Sequence, residues 1–261
     1  MRYPAVAGSF YPSNAKELKS MIEKFVTPNP DSSIIACISP HAGYIYSGRT
    51  AGKVLSLLPK AETYVIIGPN HHGYGSAIAV STQNWITPLG EVKTDIDFIN
   101  ALPKKIIDTD ESAHRFEHSL EVQLPFLQHL FDEFKIVTIC MAMQDEDTAK
   151  EVAEEILEAK RKTNRNIVVI ASSDMHHYLP DNECRKLDAK VIDAILSGNV
   201  SRFYKTIYEL NASVCGYGPI AVAMHYSNHF NAKAELVHYS TSGDVASKSS
   251  VVGYAGIVFK I

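Results

Sequence analysis

The sequence lacks a long apolar run, a phosphate-binding loop and a serine-hydrolase elbow, and each absence excludes a class of protein. No stretch approaches the ~18 apolar residues that span a bilayer. The first residues, Met1-Arg2-Tyr3-Pro4, lack the apolar core of a secretory signal. We therefore expect a cytoplasmic protein without a membrane partner. Neither GxxxxGK(S/T) nor GxGxxG occurs, which gives nucleotide binding no support. GxSxG is also absent, which disfavours a serine hydrolase.

Basic blocks are missing as well, and cysteine is scarce. The formal net charge is −4 and no long Lys/Arg run occurs, so nucleic acid is not expected as a partner. The four cysteines lie far apart without a CxxC pair. This spacing fits neither a zinc ribbon nor a secreted disulfide framework, and free thiols are expected.

Apolar runs rich in Val and Ile alternate with segments of helical periodicity, which is typical of a mainly parallel sheet covered by helices on both faces. The chain has 261 residues, 46% of them hydrophobic, with no Pro/Gly/Ser-rich linker and no repeat of fixed period. We predict one α/β domain, residues 1–261, with a central mainly parallel or mixed sheet flanked by helices. The predicted strands are 33–39, 63–68, 76–81, 134–143, 166–172, 234–241 and 251–260, and the predicted helices are 15–25, 48–58, 147–162, 186–196 and 219–228.

Five separated segments place metal-binding or proton-transferring side chains beside small or turn-forming residues. At least three of them follow an apolar run, so their side chains would emerge at the carboxyl end of a buried strand, where open α/β sheets build their sites. Imidazoles, one carboxylate and one thiol at one sheet edge would make a mononuclear metal site or an acid–base centre. The segments are 39–44, 68–73, 116–121, 172–177 and 215–219.

Two of these segments repeat a strand, a proline turn and a histidine. Pro40 ends the first strand, because a central ladder needs the N–H that proline lacks, and it holds His41 at the turn. Pro69 precedes His71 and His72 in the same way. Adjacent residues of an extended loop point in opposite directions, so only one of these two histidines faces a given centre. The alternative for His41, taken alone, is a turn histidine bonded to a neighbouring loop.

The other segments pair a carboxylate with an imidazole or present a thiol. Asp174 lies three positions before His177, so a helical turn would place both on one face and let the carboxylate orient the imidazole. Alternatively, Asp174 only caps a helix. His118 and Glu121 have the same spacing, although such a pair on an amphipathic helix is usually solvated or structural. Cys215 lies near a helix start that would lower its pKa, which makes it a candidate ligand or nucleophile.

Six motifs occur together in an order that resembles the Memo family, and they span nearly the whole chain. In prokaryotes this family is labelled AmmeMemoRadiSam system protein B. It is similar to the LigB-type class III extradiol dioxygenases, whose catalytic subunits hold a non-haem iron on an α/β fold. The motifs are AGSFYP (7–12), PHAGYIYSG (40–48), GPNHH (68–72), EHSLEVQLP (117–125), SSD (172–174) and CG (215–216).

The resemblance implies a metal centre. By this likeness His41, His71 and Cys215 match metal-site positions, and His177, with Asp174 beside it, stands where the dioxygenases keep a catalytic histidine. A His–His–Cys set suits one transition-metal ion, iron or copper, with zinc as the alternative. Supporting places in the pocket are assigned to His72, His118, Glu121, His176 and Tyr44.

Three functions remain open at this point. The first is a redox enzyme, oxidase or dioxygenase-like, that acts on an unknown small molecule. The second is a non-catalytic module that binds a peptide or another ligand in the dioxygenase-like pocket. The third is a metal-free hydrolase that uses Cys215 and His177. Metal content separates the third from the others, and oxygen consumption separates the first from the second. The sequence leaves the oligomeric state open.

Overall fold

A computed structural model describes residues 1–261, and its eleven strands join in one mixed sheet. The strands are β1 (Ile34–Ser39), β2 (Thr63–Pro69), β3 (Ile78–Val80), β4 (Trp85–Thr87), β5 (Gly90–Thr94), β6 (Asp108–Thr109), β7 (Lys135–Met141), β8 (Ile167–Ser172), β9 (His177–Leu179), β10 (Lys233–Thr241) and β11 (Val251–Lys260). Their main order is β10-β11-β1-β8-β2-β7-β3-β6, with β4, β5 and β9 attached at the sides. The four central strands, β1, β8, β2 and β7, are parallel to one another. The strands β11 and β10 are antiparallel to their neighbours, and β3 is antiparallel to β7 but parallel to β6.

Helices cover both faces of this sheet. Alternate residues of β2 divide between two apolar clusters. Val65 and Ile67 join the cluster that contains residues of α3, α5, α7 and α8, and Tyr64 and Ile66 join the one that contains residues of α1, α2 and α4. Because both faces of the sheet are covered, the central strands are continuous apolar runs in the sequence. The helices are α1 (Ala15–Ile22), α2 (Tyr44–Leu55), α3 (Ile96–Ala101), α4 (Leu124–Leu130), α5 (Glu146–Thr163), α6 (Asp181–Leu196), α7 (Val200–Glu209) and α8 (Tyr217–His229).

The predicted fold class is confirmed. All seven predicted strands and all five predicted helices are present, although α6 begins at Asp181, ahead of the predicted 186. The sequence did not predict β4, β5, β6, β9, α3 or α7. Most of these elements are too short for a period to show. No helix combines the length and the apolar character needed to cross a membrane.

Candidate metal centre

The carboxyl ends of three adjacent parallel strands place residues close together at one edge of the sheet. The strands β1, β8 and β2 lie side by side in that order, and the turns after them carry His41, Asp174 and His71. The Ser173 N–H donates to Ser39 O at 3.0 Å, which holds the first two turns together. The strand-end prediction for these segments is therefore confirmed.

Cys215 reaches the same place from the segment before α8. This approach depends on the next residue, Gly216, because a Cβ there would lie 2.5 Å from Ser172 O at the end of β8. Only glycine lets the two backbones come so close. The turn residues of the CG motif thus have a packing role as well as supplying the thiol.

His41, His71 and Cys215 form a compact group. Their potential ligand atoms all lie within 4.8 Å of one another. Cys215 Sγ is 3.2 Å from His41 Nε2, and the rings of His41 and His71 are nearly perpendicular with centroids 5.1 Å apart. The ring of His118 borders the group, 4.5 Å from that of His71 and 5.3 Å from that of His41. The structure therefore brings together all three residues of the expected ligand set.

The tautomer of His41 is fixed by a buried serine. The Ser172 hydroxyl donates its only proton to Ser119 O at 2.6 Å, so at the 3.0 Å contact with His41 the hydroxyl oxygen accepts from Nδ1–H. The other nitrogen, Nε2, then carries a lone pair and faces Cys215 Sγ. Burial lowers the pKa of His41 well below its ordinary value, and the neighbouring His118 and His71 lower it further. A neutral imidazole with a free Nε2 is the form that binds a metal.

Glu117 fixes His71 in the same manner. Its Oε1 accepts from His71 Nδ1 at 2.8 Å and from Ser119 N at 2.8 Å, while Oε2 accepts from His71 N at 2.7 Å. Burial alone would raise the pKa of Glu117, but the hydrogen bond from His71 and the charges of His71 and His118 lower it below its ordinary value. The carboxylate therefore stays ionised and holds Nδ1–H, which leaves His71 Nε2 free.

Sequence reasoning missed Glu117. The segment 116–121 offers two glutamates, and the three-residue spacing drew attention to Glu121 instead of the residue adjacent to His118. The usable signal was chemical: a ligand histidine usually gives its second N–H to a carboxylate. From the sequence, either glutamate could be that carboxylate, and only the fold shows which one bonds to the histidine.

Asp174 sits behind two of the grouped residues. Its Oδ1 accepts from His41 N at 2.8 Å, and its own N–H points to Cys215 Sγ at 3.2 Å. Burial raises the pKa of Asp174 to about 6, against the opposing hydrogen bond from His41. The predicted helical turn joining Asp174 to His177 is wrong, because residues 173–176 are irregular and His177 begins β9. Instead of a hydrogen bond with the His177 imidazole, the Asp174 carboxylate accepts a hydrogen bond from the His41 backbone N–H.

The expectation of a lowered thiol pKa at Cys215 is also wrong. Burial of the sulfur raises the pKa above its ordinary value, and the Asp174 carboxylate raises it further. The helix start contributes too little to reverse this, since α8 begins only at Tyr217. In the metal-free protein the group is a thiol.

His177 stands at the half-exposed border of the site. Its Nδ1 contacts Ser213 O at 2.8 Å, and its backbone N–H donates to Ser213 Oγ at 2.8 Å. A carbonyl oxygen only accepts, so Nδ1 carries the proton and Nε2 is free. Ser213 lies two residues before Cys215, so these contacts tie His177 to the segment that carries the thiol.

Among the expected supporting residues, His118 lies beside the group, and burial lowers its pKa to about 4. The other four make no hydrogen bond to the group of His41, His71 and Cys215. His72 is exposed and turned outward, as the opposite directions of neighbouring residues require. Tyr44 is a core residue whose hydroxyl donates to Val122 O at 2.6 Å. His176 points to Asp188 on α6, with Nδ1 2.6 Å from Oδ1.

Glu121 is the fourth of these residues and anchors the start of the chain. It is fully buried and forms an ion pair with Arg2, which is itself buried. A buried carboxylate requires donors of this kind. Its further donors come from the Ala5 and Val6 backbone and the Tyr11 hydroxyl.

The residues present fit a transition-metal ion. Two imidazoles, the buried His41 and the more accessible His71, have their Nδ1 protons held by oxygen and their Nε2 atoms free, and a thiol lies beside them. Soft sulfur with imidazole nitrogen suits iron, copper or zinc and disfavours magnesium and calcium. The His71 side chain remains 29% exposed, so small molecules can reach the group from solvent.

Comparison with known proteins gives a consistent result. Residues 2–258 match the family described as Memo-like protein. A MEMO1 family protein from Archaeoglobus fulgidus is 68% identical over 261 residues, and one from Methanococcoides burtonii is 49% identical over 264; both alignments cover all of each chain. The crystal structure of the uncharacterized protein JW3007 from Escherichia coli K12 matches with a TM-score of 0.56 at 13% identity, covering 86% of this chain and 99% of that one. This last likeness concerns the fold alone.

Proposed function

The chain belongs to the Memo family, and from that premise we propose that it binds one redox-capable transition-metal ion and acts as an oxidoreductase on a small molecule. The ion would be held by His41 Nε2, His71 and Cys215. One observation carries the proposal: both imidazoles give their Nδ1 proton to a buried oxygen acceptor and keep Nε2 for another partner. A purely structural histidine does not need a free Nε2 beside other potential ligand atoms.

Iron and copper are the ions we favour, with zinc as the third choice. Three protein ligands leave coordination positions open for water, oxygen or substrate, and the ion would supply Lewis acidity and electron transfer there. The protein's own part is to orient the ligands through Ser172 and Glu117. His177 Nε2 would take up or return a proton at the border of the site.

The proposed site differs in one respect from the LigB-type dioxygenases that the motifs resemble. Here a thiol, Cys215, stands where those enzymes have a carboxylate ligand. Sulfur makes the metal softer, so we propose that aromatic diols bind to it more readily than they are cleaved.

A second function, binding of a peptide or another ligand without turnover, is favoured by a specific feature of the surface. Three large aromatic side chains that lie near site residues in the sequence are exposed, namely Tyr46 at 39%, Phe116 at 47% and Tyr178 at 78%. Exposed aromatic groups around a site are typical of recognition surfaces. Oxygen consumption by the metal-loaded protein would favour the enzyme, and stoichiometric binding without consumption would favour the module.

The metal-free Cys–His hydrolase is the least supported reading. Cys215 Sγ contacts His41, whereas His177 is bonded to Ser213. The raised pKa of the Cys215 thiol also opposes its use as a nucleophile.

The metal proposal is tested on protein purified anaerobically without a metal-affinity resin. Elemental analysis should find one iron or copper ion per chain, because this handling avoids displacement of the native ion. His41→Ala, His71→Ala and Cys215→Ala should each lower the affinity for Fe(II), Cu or Zn by at least ~10–100-fold. The neighbouring exposed histidine gives a matched control, and His72→Ala should bind as the wild type does. Unchanged affinity in all three ligand variants would eliminate this ligand set.

A further inference from the structure

A buried polar cluster next to the metal centre takes no part in the proposed function. Asp188, on α6, has no exposed surface. Its Oδ1 accepts from the backbone N–H of His176 at 3.0 Å and contacts Nδ1 of the same residue at 2.6 Å. Its Oδ2 accepts from the Tyr239 hydroxyl at 2.6 Å, and Cys184 Sγ lies 3.4 Å away. Such a carboxylate is retained in an interior only when its oxygens are bonded in this way.

The cluster holds one end of the loop that carries two residues of the site. Residues 173–177 lie between β8 and β9 and have no helix or strand before His177, yet each of their backbone N–H groups has an acceptor. An irregular segment is fixed when its amides are all bonded. The acceptors are Ser39 O for residue 173, Cys215 Sγ for 174, Gly253 O for 175, Asp188 Oδ1 for 176 and Ser213 Oγ for 177.

The cluster is tightly enclosed on its other side by β11. The Gly253 N–H donates to His176 O at 2.9 Å, and a Cβ at position 253 would lie 1.8 Å from Asp188 Oδ2. His176 Nε2 is buried without any partner. A buried unsatisfied nitrogen is destabilising. We therefore attribute any stabilising effect of the His176 ring to its other nitrogen, Nδ1, which contacts Asp188.

We infer that Asp188 is a positioning residue of the metal centre, which acts through His176 on the loop 173–177. Asp188 touches none of the three proposed ligands. By fixing the loop it holds Asp174 behind His41 and Cys215. The same loop sets the place of His177. This role rests on the proposed function, since it concerns the same centre.

The test uses the full-length protein, with Co(II) as the metal probe. Asp188→Ala should lower the Co(II) affinity by ~10–100-fold, as changes outside the ligand shell do, and should shift the visible Co(II) bands. In the metal-free protein at one fixed pH, it should also move the NMR signals of the His177 ring. Asp188→Asn keeps an acceptor for His176 and should restore all three readouts. Asp193→Ala, at an exposed position of the same helix, should match the wild type.

A merely structural role gives a different pattern. Asp188→Ala would then lower the melting temperature and leave the Co(II) bands and the His177 signals unchanged, and this result overturns the inference. If Asp188→Ala does not fold, Tyr239→Phe, which removes one donor to the carboxylate, is judged by the same readouts. A wild type that binds no Co(II), iron or copper would refute the proposed metal function, whereas the metal-free His177 signals would still decide whether Asp188 fixes the loop.

Discussion

Replacement of Glu117 by glutamine is the sharpest test of how the site is held. Glu117 accepts three hydrogen bonds, two at Oε1 and one at Oε2. An amide has a single oxygen, so either orientation turns an NH₂ group toward an N–H donor. If the NH₂ group takes the position of Oε1, it faces the Nδ1–H of His71 donor to donor. His71 would then adopt the other tautomer, with the proton on Nε2, which is the nitrogen that must be free to bind a metal.

The magnitude follows from these contacts. Loss of an oriented outer carboxylate typically lowers metal affinity ~10–100-fold, which corresponds to about 1.4–2.8 kcal/mol. The remaining unsatisfied buried N–H should lower the free energy of unfolding by about 1–3 kcal/mol. Glu117→Gln is therefore expected to weaken both metal binding and the fold.

Glu121→Gln is the matched control, because it removes the other buried carboxylate of the same segment. Its donors, Arg2 among them, belong to the start of the chain and not to the site. We expect it to lower stability while the folded protein keeps its metal affinity. The assay is an anaerobic competition titration with zinc and a chromophoric chelator, beside thermal unfolding. Wild-type affinity in Glu117→Gln, or equal losses in both variants, would refute the proposed role of Glu117.

Three other outcomes are expected. Burial raises the folded pKa of Asp174 to about 6, above an unfolded value of ~3.9. The Asp174 carboxyl of the folded metal-free protein therefore keeps its proton between these values, and its own contribution to stability should fall by about 1–3 kcal/mol as pH rises from ~4 to ~6. Asp174→Asn should remove this contribution, so the stability difference between wild type and variant should change by that amount in unfolding measured across that range, and a difference independent of pH would contradict the assignment. Arg2→Ala leaves the Glu121 charge buried and unpaired and should lower the free energy of unfolding by roughly 3–5 kcal/mol in denaturant titration; a loss below 1 kcal/mol would contradict this. A catechol added to the anaerobic Fe(II) protein should change the spectrum of the wild type but not that of His41→Ala. Later exposure to oxygen should give little ring-opened product. Rapid cleavage of the catechol ring would overturn the expected effect of the thiol.

The sequence predicted the architecture because the central strands are buried on both faces. Runs such as Ile34–Ser39 and Ile167–Ser172 are almost wholly apolar, and a turn or polar cluster follows each one. Parallel strands place such ends on one edge, which is why His41 and His71 could be expected near each other. Short elements such as β4 and β6 left no comparable pattern in the sequence.

The failures within the candidate site concern the partners that each residue meets in the fold. The three-residue spacing of Asp174 and His177 suggested a helical turn, but the backbone there is bonded residue by residue to distant segments. Likewise Glu117 and Glu121 are equivalent in sequence, and only the fold assigns one to His71 and the other to Arg2. Local spacing carries no information about partners that lie far along the chain.

The proposed ligands are also far apart in the chain, and this separation has a consequence for folding. His41 and Cys215 are separated by 174 positions, so the group is assembled only after β1, β2, β8 and the start of α8 have come together. An ion joining them would close a very long loop, and on the chain-entropy relation a cross-link of that length disfavours the unfolded ensemble by about 5 kcal/mol. The ion would thus be a cross-link that forms only after these strands have assembled. It would not nucleate folding, but once bound it would slow unfolding.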